Sequence, residues 1–536
     1  MRRPPRPLRT LGPLRAFGSL RPHGPRRPLL ALTALALLLT ACSAAADGDE
    51  KDPGAPRPGV LRVLASSELS DMAPVLEQVR KDTGVTIRPT YMGTLDAVNL
   101  LAKPAADGRY DAVWLSSGDY LRLRPDAAKK IVSEAPIMSS PVAVGVRTAT
   151  VASLGWKPQH VTWSQIEQAV QDGELTYGMT DPARSNSGFS TLVSVASALS
   201  GAQSALTEAD VAKATPRLKE FFKGQQLTSG SSGWLASAYA RRGDVDALLN
   251  YESVLMGIPG LTVIRPTDGV VTADYPLSSL AATDATARDD VKRVTDALRT
   301  EAVQRLITAK THRRPVVASV PPAAGLDTAR RRELPFPGAR SVADGLLDAY
   351  ENDLRRPSRT VYVLDTSGSM QGDRLRRLKT ALTDLTGDFR DREEVTLMPF
   401  GSDVKSVRTH VVSPADPDAG LAAIRKDTEE LSADGDTAVY TSLEKAYDHL
   451  GADRDAFTSI VLMTDGENTA GAKAGDFDGF YQGLSAERQA IPVFPVLFGD
   501  SDRGELEHIA ELTGGRLFDA QKGSLDGAFE EIRGYQ

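Results

Sequence analysis

The chain has 536 residues, of which 41% are hydrophobic and 25% charged, a formal net charge of −7 and a single cysteine, Cys42. That length accommodates two or three domains. One cysteine excludes an intramolecular disulfide, and the acidic balance disfavours nucleic acid, whose phosphates call for clustered Lys and Arg.

The first twenty-eight residues carry eight arginines, Arg2 to Arg27, and no acid. A short apolar run, Leu29 to Leu39, follows and leads into Leu39-Thr-Ala-Cys42. A basic segment, a short apolar segment and small residues at the cut define a secretory signal. The run falls well short of the ~20 residues a membrane-spanning helix needs. Leu-Thr-Ala-Cys resembles the bacterial lipobox, which implies lipidation of Cys42 and anchoring at the outer face of the cell membrane. Arg26-Arg27 also reads as a loose twin-arginine signal, so the export route stays open. Loss of residues 1–41 would take the formal charge from −7 to −15, leaving lipid rather than basic charge to hold the membrane. Residues 42–59, rich in Ala, Gly, Pro and Asp, read as a flexible tether.

Residues 60–335 form the first expected domain, in which apolar strands alternate with helical segments. Val60–Ala65 reads as a strand ending at Ser66-Ser67-Glu68, and Val85–Tyr91 as one ending at Gly93-Thr94. Tyr110–Leu115 ends at Ser116-Ser117-Gly118, and Ile137–Val146 reads as a crossing strand. Farther on come Thr176–Pro182, then Ser185-Asn-Ser187-Gly188 opening a helix, and Ala247–Glu252. This order resembles the two-lobed, type II periplasmic-binding fold of bacterial extracellular solute-binding proteins, with oxyanion-binding members as the nearest parallels. Helix starts and hydroxyls cradle anions, so Ser66, Ser67, Thr94, Ser116, Ser117, Ser187 and Gly188 are candidate solute contacts, with Glu252 beside them. The same hydroxyls also suit helix capping, and both roles stand open at each position. The domain is either a receptor for a small anion or other solute, or a scaffold keeping the fold.

Residues 336–357 are expected to form a helical connector, with Val342, Leu346, Leu347, Tyr350 and Leu354 in one stripe and a stop before Pro357. Residues 358–536 alternate strands and helices as a doubly wound, mostly parallel sheet requires. Thr360–Leu364 runs into Asp365-Thr-Ser367-Gly-Ser369, a turn presenting one carboxylate and two hydroxyls in alternation. A polar loop holds Thr437, and the apolar run Ser459–Met463 ends at Thr464-Asp465. In an open α/β sheet, ligands collect at the carboxyl ends of strands. Asp365, Ser367, Ser369, Thr437 and Asp465 are all oxygen donors, which suits a hard cation such as Mg²⁺.

These five residues, in this order, resemble the metal-ion-dependent adhesion site of von Willebrand factor type A domains. The resemblance implies that Ser367, Ser369 and Thr437 contact Mg²⁺ or Mn²⁺ directly, while Asp365 and Asp465 act largely through water. It further implies an open coordination position for a Glu or Asp carboxylate of a partner protein. Asp436 and Glu467 are extra acids that add negative charge nearby.

Other chemistries fit less well. Asp365-Thr-Ser lacks the second Asp of an aspartic protease, and Ser367 replaces the acid that usually follows an aspartyl nucleophile in phosphoryl transfer. His160, His312, His410, His449 and His508 are scattered, without metal-ligand spacing. The four tryptophans all precede residue 235, so their emission is expected to report the first domain. The expected function is therefore binding rather than catalysis: a surface lipoprotein that captures a protein partner through the metal site. The alternative is the substrate-binding receptor of an ABC importer.

Overall fold

The structure is a computed structural model, and it describes residues 59–243, 245–387, 389–451, 456–499, 501–521 and 525–535. They fall in one compact unit, Gly54–Gln536. Cys42, the signal segment and nearly all of the tether lie outside the described residues. Among the described residues no helix is long and apolar enough to cross a membrane.

The first domain is built on two sheets. One has the order Thr86–Met92, Val60–Ser66, Ala112–Trp114, Pro276–Leu280, Ile131–Pro136. The other runs Thr272–Ala273, Met138–Arg147, Ala247–Tyr251, Tyr177–Thr180, Gln225–Ser229, with Leu261–Ile264 and Arg314–Pro315 also on Met138–Arg147. The expected crossing strand, Ile137–Val146, is Met138–Arg147 of the second sheet; the strand before it, Ile131–Pro136, lies in the first sheet, and the chain crosses at the fully buried Ile137. The chain crosses back between Ala273 and Pro276, through Tyr275, whose φ is +44°. Two crossings between two sheets make the two-lobed architecture anticipated from the residues.

The connector is an α-helix, Arg340–Ala349, continued by one π turn, Tyr350–Leu354. Val342, Leu346, Tyr350 and Leu354 join the core of the first domain. Tyr350 meets the Phe222 ring edge-on at 5.2 Å and accepts a 3.1 Å hydrogen bond from Gln225. The stripe therefore docks the connector on the first domain.

The second domain has one six-stranded sheet: Arg408–Val411, Glu394–Phe400, Ser358–Asp365, Phe457–Thr464, Val493–Leu497, Phe518–Asp519. All neighbours are parallel except the first pair, an antiparallel edge. Successive side chains on a strand point to opposite faces, and a parallel sheet is covered on both. Tyr362 and Leu364 accordingly enter one core, while Val361 and Val363 enter the other. Near-continuous apolar strands are the result.

The two domains meet at the amino-terminal edge of this sheet. A cavity of about 840 Å³ between them is lined by Gln226, Thr228 and Trp234 on one side and by Phe457, Pro492 and Tyr535 on the other. Phe457 opens its strand, and Pro492 directly precedes Val493–Leu497. The carboxyl ends of the strands lie on the opposite edge.

Candidate metal centre

Three loops converge at that far edge. Asp365 closes its strand and Thr464 closes the neighbouring parallel one, so Asp365 and Asp465 emerge side by side. Thr437 stands in the loop before the helix Val439–Leu450. Backbone bonds lock the loops together: Gly368 donates to the Gly435 carbonyl at 2.9 Å, Asp434 to Thr366 at 2.9 Å, and Thr469 to Thr437 at 2.8 Å. Gly499 permits a further close approach. Its φ is +63°, and a Cβ there would sit 2.8 Å from that of Asp465.

The expected donors come together. Ser367 and Ser369 hydroxyl oxygens are 3.0 Å apart, and Ser369 donates to Asp465 Oδ1 at 2.8 Å. Thr437 Oγ1 and Ser369 Oγ each lie 3.9 Å from the point where a Cβ on Gly466 would sit. Asp365, Ser367, Thr437 and Asp465 are buried, whereas Ser369 and Gly368 are exposed, so the centre has one open side.

This donor set fits a small hard cation. Octahedral Mg²⁺ with bonds of about 2.1 Å places neighbouring ligand oxygens roughly 3 Å apart, the spacing of Ser367 and Ser369. A serine donating its proton to a carboxylate keeps its lone pairs for a metal. Among the described residues no group of three His, Cys, Asp or Glu side chains is placed to hold a metal. A site here therefore has to be built on hydroxyls.

The carboxylates are held differently. Asp365 accepts from Thr464 Oγ1 at 2.6 Å and from the Ser367 amide at 2.8 Å. Burial still pushes its carboxyl above the usual range, and the nearby Asp465 charge adds to the rise. Asp465 is bonded on its other oxygen by the guanidinium of Arg374, in the first turn of the helix Asp373–Leu385. Sequence reasoning passed over both Arg374 and Thr464. Arg374 was visible only as one of several arginines on a helix, and Thr464 as the polar end of an apolar run. The two extra acids stay peripheral: Asp436 accepts from Ser402 at 3.3 Å, and Glu467 is exposed.

In the first domain the candidate hydroxyls satisfy one another. Ser66 and Thr94 hydroxyls are 2.6 Å apart, Thr94 and Ser116 2.7 Å, and Ser66 accepts from the Ser116 amide at 3.0 Å. Ser117 accepts from the Asp119 amide at 3.1 Å, just before the short helix Asp119–Arg122. Ser67 is half-buried at the start of a 3₁₀ turn. On the other lobe, Ser187 Oγ lies 2.8 Å from Thr180 and 2.9 Å from Ser232. Gly188 allows helix packing, since a Cβ would fall 2.3 Å from the Thr180 carbonyl. Glu252 is fully buried, and its carboxylate is bonded to Arg265 and Arg314.

A two-lobed α/β domain is joined to a doubly wound sheet with an open-sided donor centre, so the chain has a two-module α/β architecture. Residues 61–310 match the family model of bacterial extracellular solute-binding proteins, and residues 360–467 match that of the von Willebrand factor type A domain. The chain thus combines these two domains. A protein of Synechocystis sp., described only as uncharacterized, is 31% identical over 172 residues, 32% of this chain and 39% of that protein. Inter-alpha-trypsin inhibitor heavy chain H1 of Bos taurus is 32% identical over 118 residues, 21% of this chain and 13% of its own length. The chain therefore spans well under half of these relatives. Among solved structures it is similar to the periplasmic binding protein AfuA from Actinobacillus pleuropneumoniae, with 14% identity and TM-score 0.43, covering 55% of this chain and 98% of that one. A periplasmic thiamin binding protein gives 15% identity and TM-score 0.42, covering 55% and 95%.

Proposed function

We propose that the chain is an extracytoplasmic binding protein that captures a protein partner through a divalent cation held by Ser367, Ser369 and Thr437. Asp365 and Asp465 supply the negative charge that draws the ion in. When bound, Mg²⁺ or Mn²⁺ offers a coordination position to a partner Glu or Asp. Lipidation of Cys42 holds the protein to the outer face of the membrane, and residues 42–59 tether it.

One observation carries this reading. The five donors converge on an exposed, open-sided edge of the sheet, while the first domain docks on the opposite edge. A large protein can then reach the centre without displacing the solute-binding-like domain. Calorimetric titration of Mg²⁺ and Mn²⁺ into the protein and its Asp365→Ala form tests it. Binding abolished by the substitution supports the reading, and equal binding in both forms overturns it.

The match of residues 61–310 to solute-binding proteins favours a second reading, in which the chain is the receptor of an importer. A thermal shift specific to one small solute, lost in Ser116→Ala, supports that role. The self-satisfied hydroxyl clusters and the Glu252–arginine pairing favour a scaffold instead.

A further inference from the structure

Asp465 is a buried carboxylate with two partners of different kinds. Ser369 donates to Oδ1 at 2.8 Å, and the Arg374 guanidinium is paired with Oδ2. The Asp465 side chain is 0% exposed, whereas that of Arg374 remains 34% exposed. A buried carboxylate without a cation is costly, so this protein carries its own. A divalent ion among Ser367, Ser369 and Thr437 would approach the same carboxylate. Two cations cannot share one buried acid without strong mutual repulsion at low dielectric. One of them has to withdraw, and Arg374 has a route to solvent.

We propose that Arg374 is a tethered cation that occupies Asp465 in the metal-free protein and is displaced by the incoming divalent ion, so that it sets the affinity of the centre. The inference rests on the metal reading given above. Displacement subtracts the Arg374–Asp465 attraction from the energy of metal binding. The centre then fills only at a divalent-ion concentration high enough to outcompete the internal guanidinium. In the metal-free state the same pair prevents the acidic centre from repelling itself apart.

The test is calorimetric titration of MgCl₂ into the protein, Arg374→Ala, Arg374→Lys and Asp365→Ala, with thermal melts before and after metal. Arg374→Ala is expected to bind Mg²⁺ about tenfold more tightly or better, because no internal cation remains to be displaced. Its metal-free melting temperature is expected to fall and its Mg²⁺-induced rise to exceed that of the unchanged protein. Arg374→Lys keeps a cation in reach, so it is expected to bind with an affinity between the two. It also carries the test if the alanine form fails to fold. Equal or weaker Mg²⁺ binding in Arg374→Ala, with binding still abolished by Asp365→Ala, overturns the role of Arg374 and leaves the metal centre standing. Absence of Mg²⁺ binding in the unchanged protein and in both Arg374 variants overturns both. A purely structural arginine would lower stability without tightening metal binding.

Discussion

Arg390 of the von Willebrand factor type A domain and Asp181 of the solute-binding-like domain form an ion pair at 3.4 Å, with both side chains almost fully buried. Arg390 also pairs with Glu351 of the connector at 2.6 Å. Asp181 opens the turn after Tyr177–Thr180 and accepts from the Ala183 amide at 2.8 Å, holding the loop that leads to Ser185 and Ser187. One guanidinium thus joins both domains and the helix between them.

Arg390→Ala would leave Asp181 and Glu351 without their shared cation. Breaking a buried pair in this way costs about 3–5 kcal/mol, to be read as a lower denaturation midpoint. A loss under about 1 kcal/mol would mean that this junction holds as an exposed pair would, and that docking depends on the aromatic contact instead.

That contact gives an optical readout. Trp234 belongs to the first domain, but its ring meets Tyr535 edge-on at 5.8 Å and packs on a core of the second domain. Expecting tryptophan emission to report the first domain overlooks this placement, because Trp234 reports the junction. Tyr535→Ala is expected to shift Trp234 emission to the red and to cost about 0.5–1.5 kcal/mol beyond lost area. Unchanged emission would show that the two rings do not depend on each other.

Stability should also depend on pH through Glu68, just after the first strand. Its Oε1 is sealed from water without a partner, and burial raises the carboxyl from 4.5 to about 7 against the opposing pull of Arg313. Between those values the folded protein holds a proton that the unfolded chain releases. The contribution is therefore complete below pH 4.5 and is lost as pH rises towards 7. Glu68→Gln should flatten the upper part of that fall. Asp71 and Asp274, also raised by burial, would keep some slope at lower pH. Denaturation curves at pH 5, 6 and 7.5 check this, and an unchanged slope in the variant would sink it.

The two lobes meet tightly at Gly93, where a Cβ would fall 2.1 Å from the Arg184 carbonyl. Gly93 has an ordinary φ of −59°, so alanine is acceptable to its own backbone and excluded only by the opposing lobe. Gly93→Ala is expected to cost about 1–3 kcal/mol and to part the lobes there. An increased radius of gyration in small-angle scattering, together with a lower melting temperature, would show it. A variant matching the parent in both would mean that the lobes tolerate separation at this point.

Much of the architecture was readable from local pattern. Ser358–Asp365 and Phe457–Thr464 are near-continuous apolar runs because both faces of a parallel sheet are covered; the first ends in Asp365 and the second is followed directly by Asp465. Asp365, Ser367 and Ser369 announce themselves because their alternation lies within one turn. The connector was legible as helix from its stripe. Its final turn widens to a π turn as Tyr350 reaches Phe222 and Gln225, contacts that no spacing rule contains.

The chain order alone establishes a two-module protein with an oxygen-only donor set at strand ends, because strand termini and hydroxyl alternation are local properties. Three relationships were decided only in three dimensions: Arg374 on Asp465 across 91 residues, Thr464 on Asp365 across 99, and Arg390 on Asp181 across 209. Many arginines and threonines have equivalent local contexts. Which of them meets a buried carboxylate depends on how strands order within a sheet and how one domain docks on another. Those arrangements follow from burying whole apolar faces, a sum over distant residues that no short segment carries.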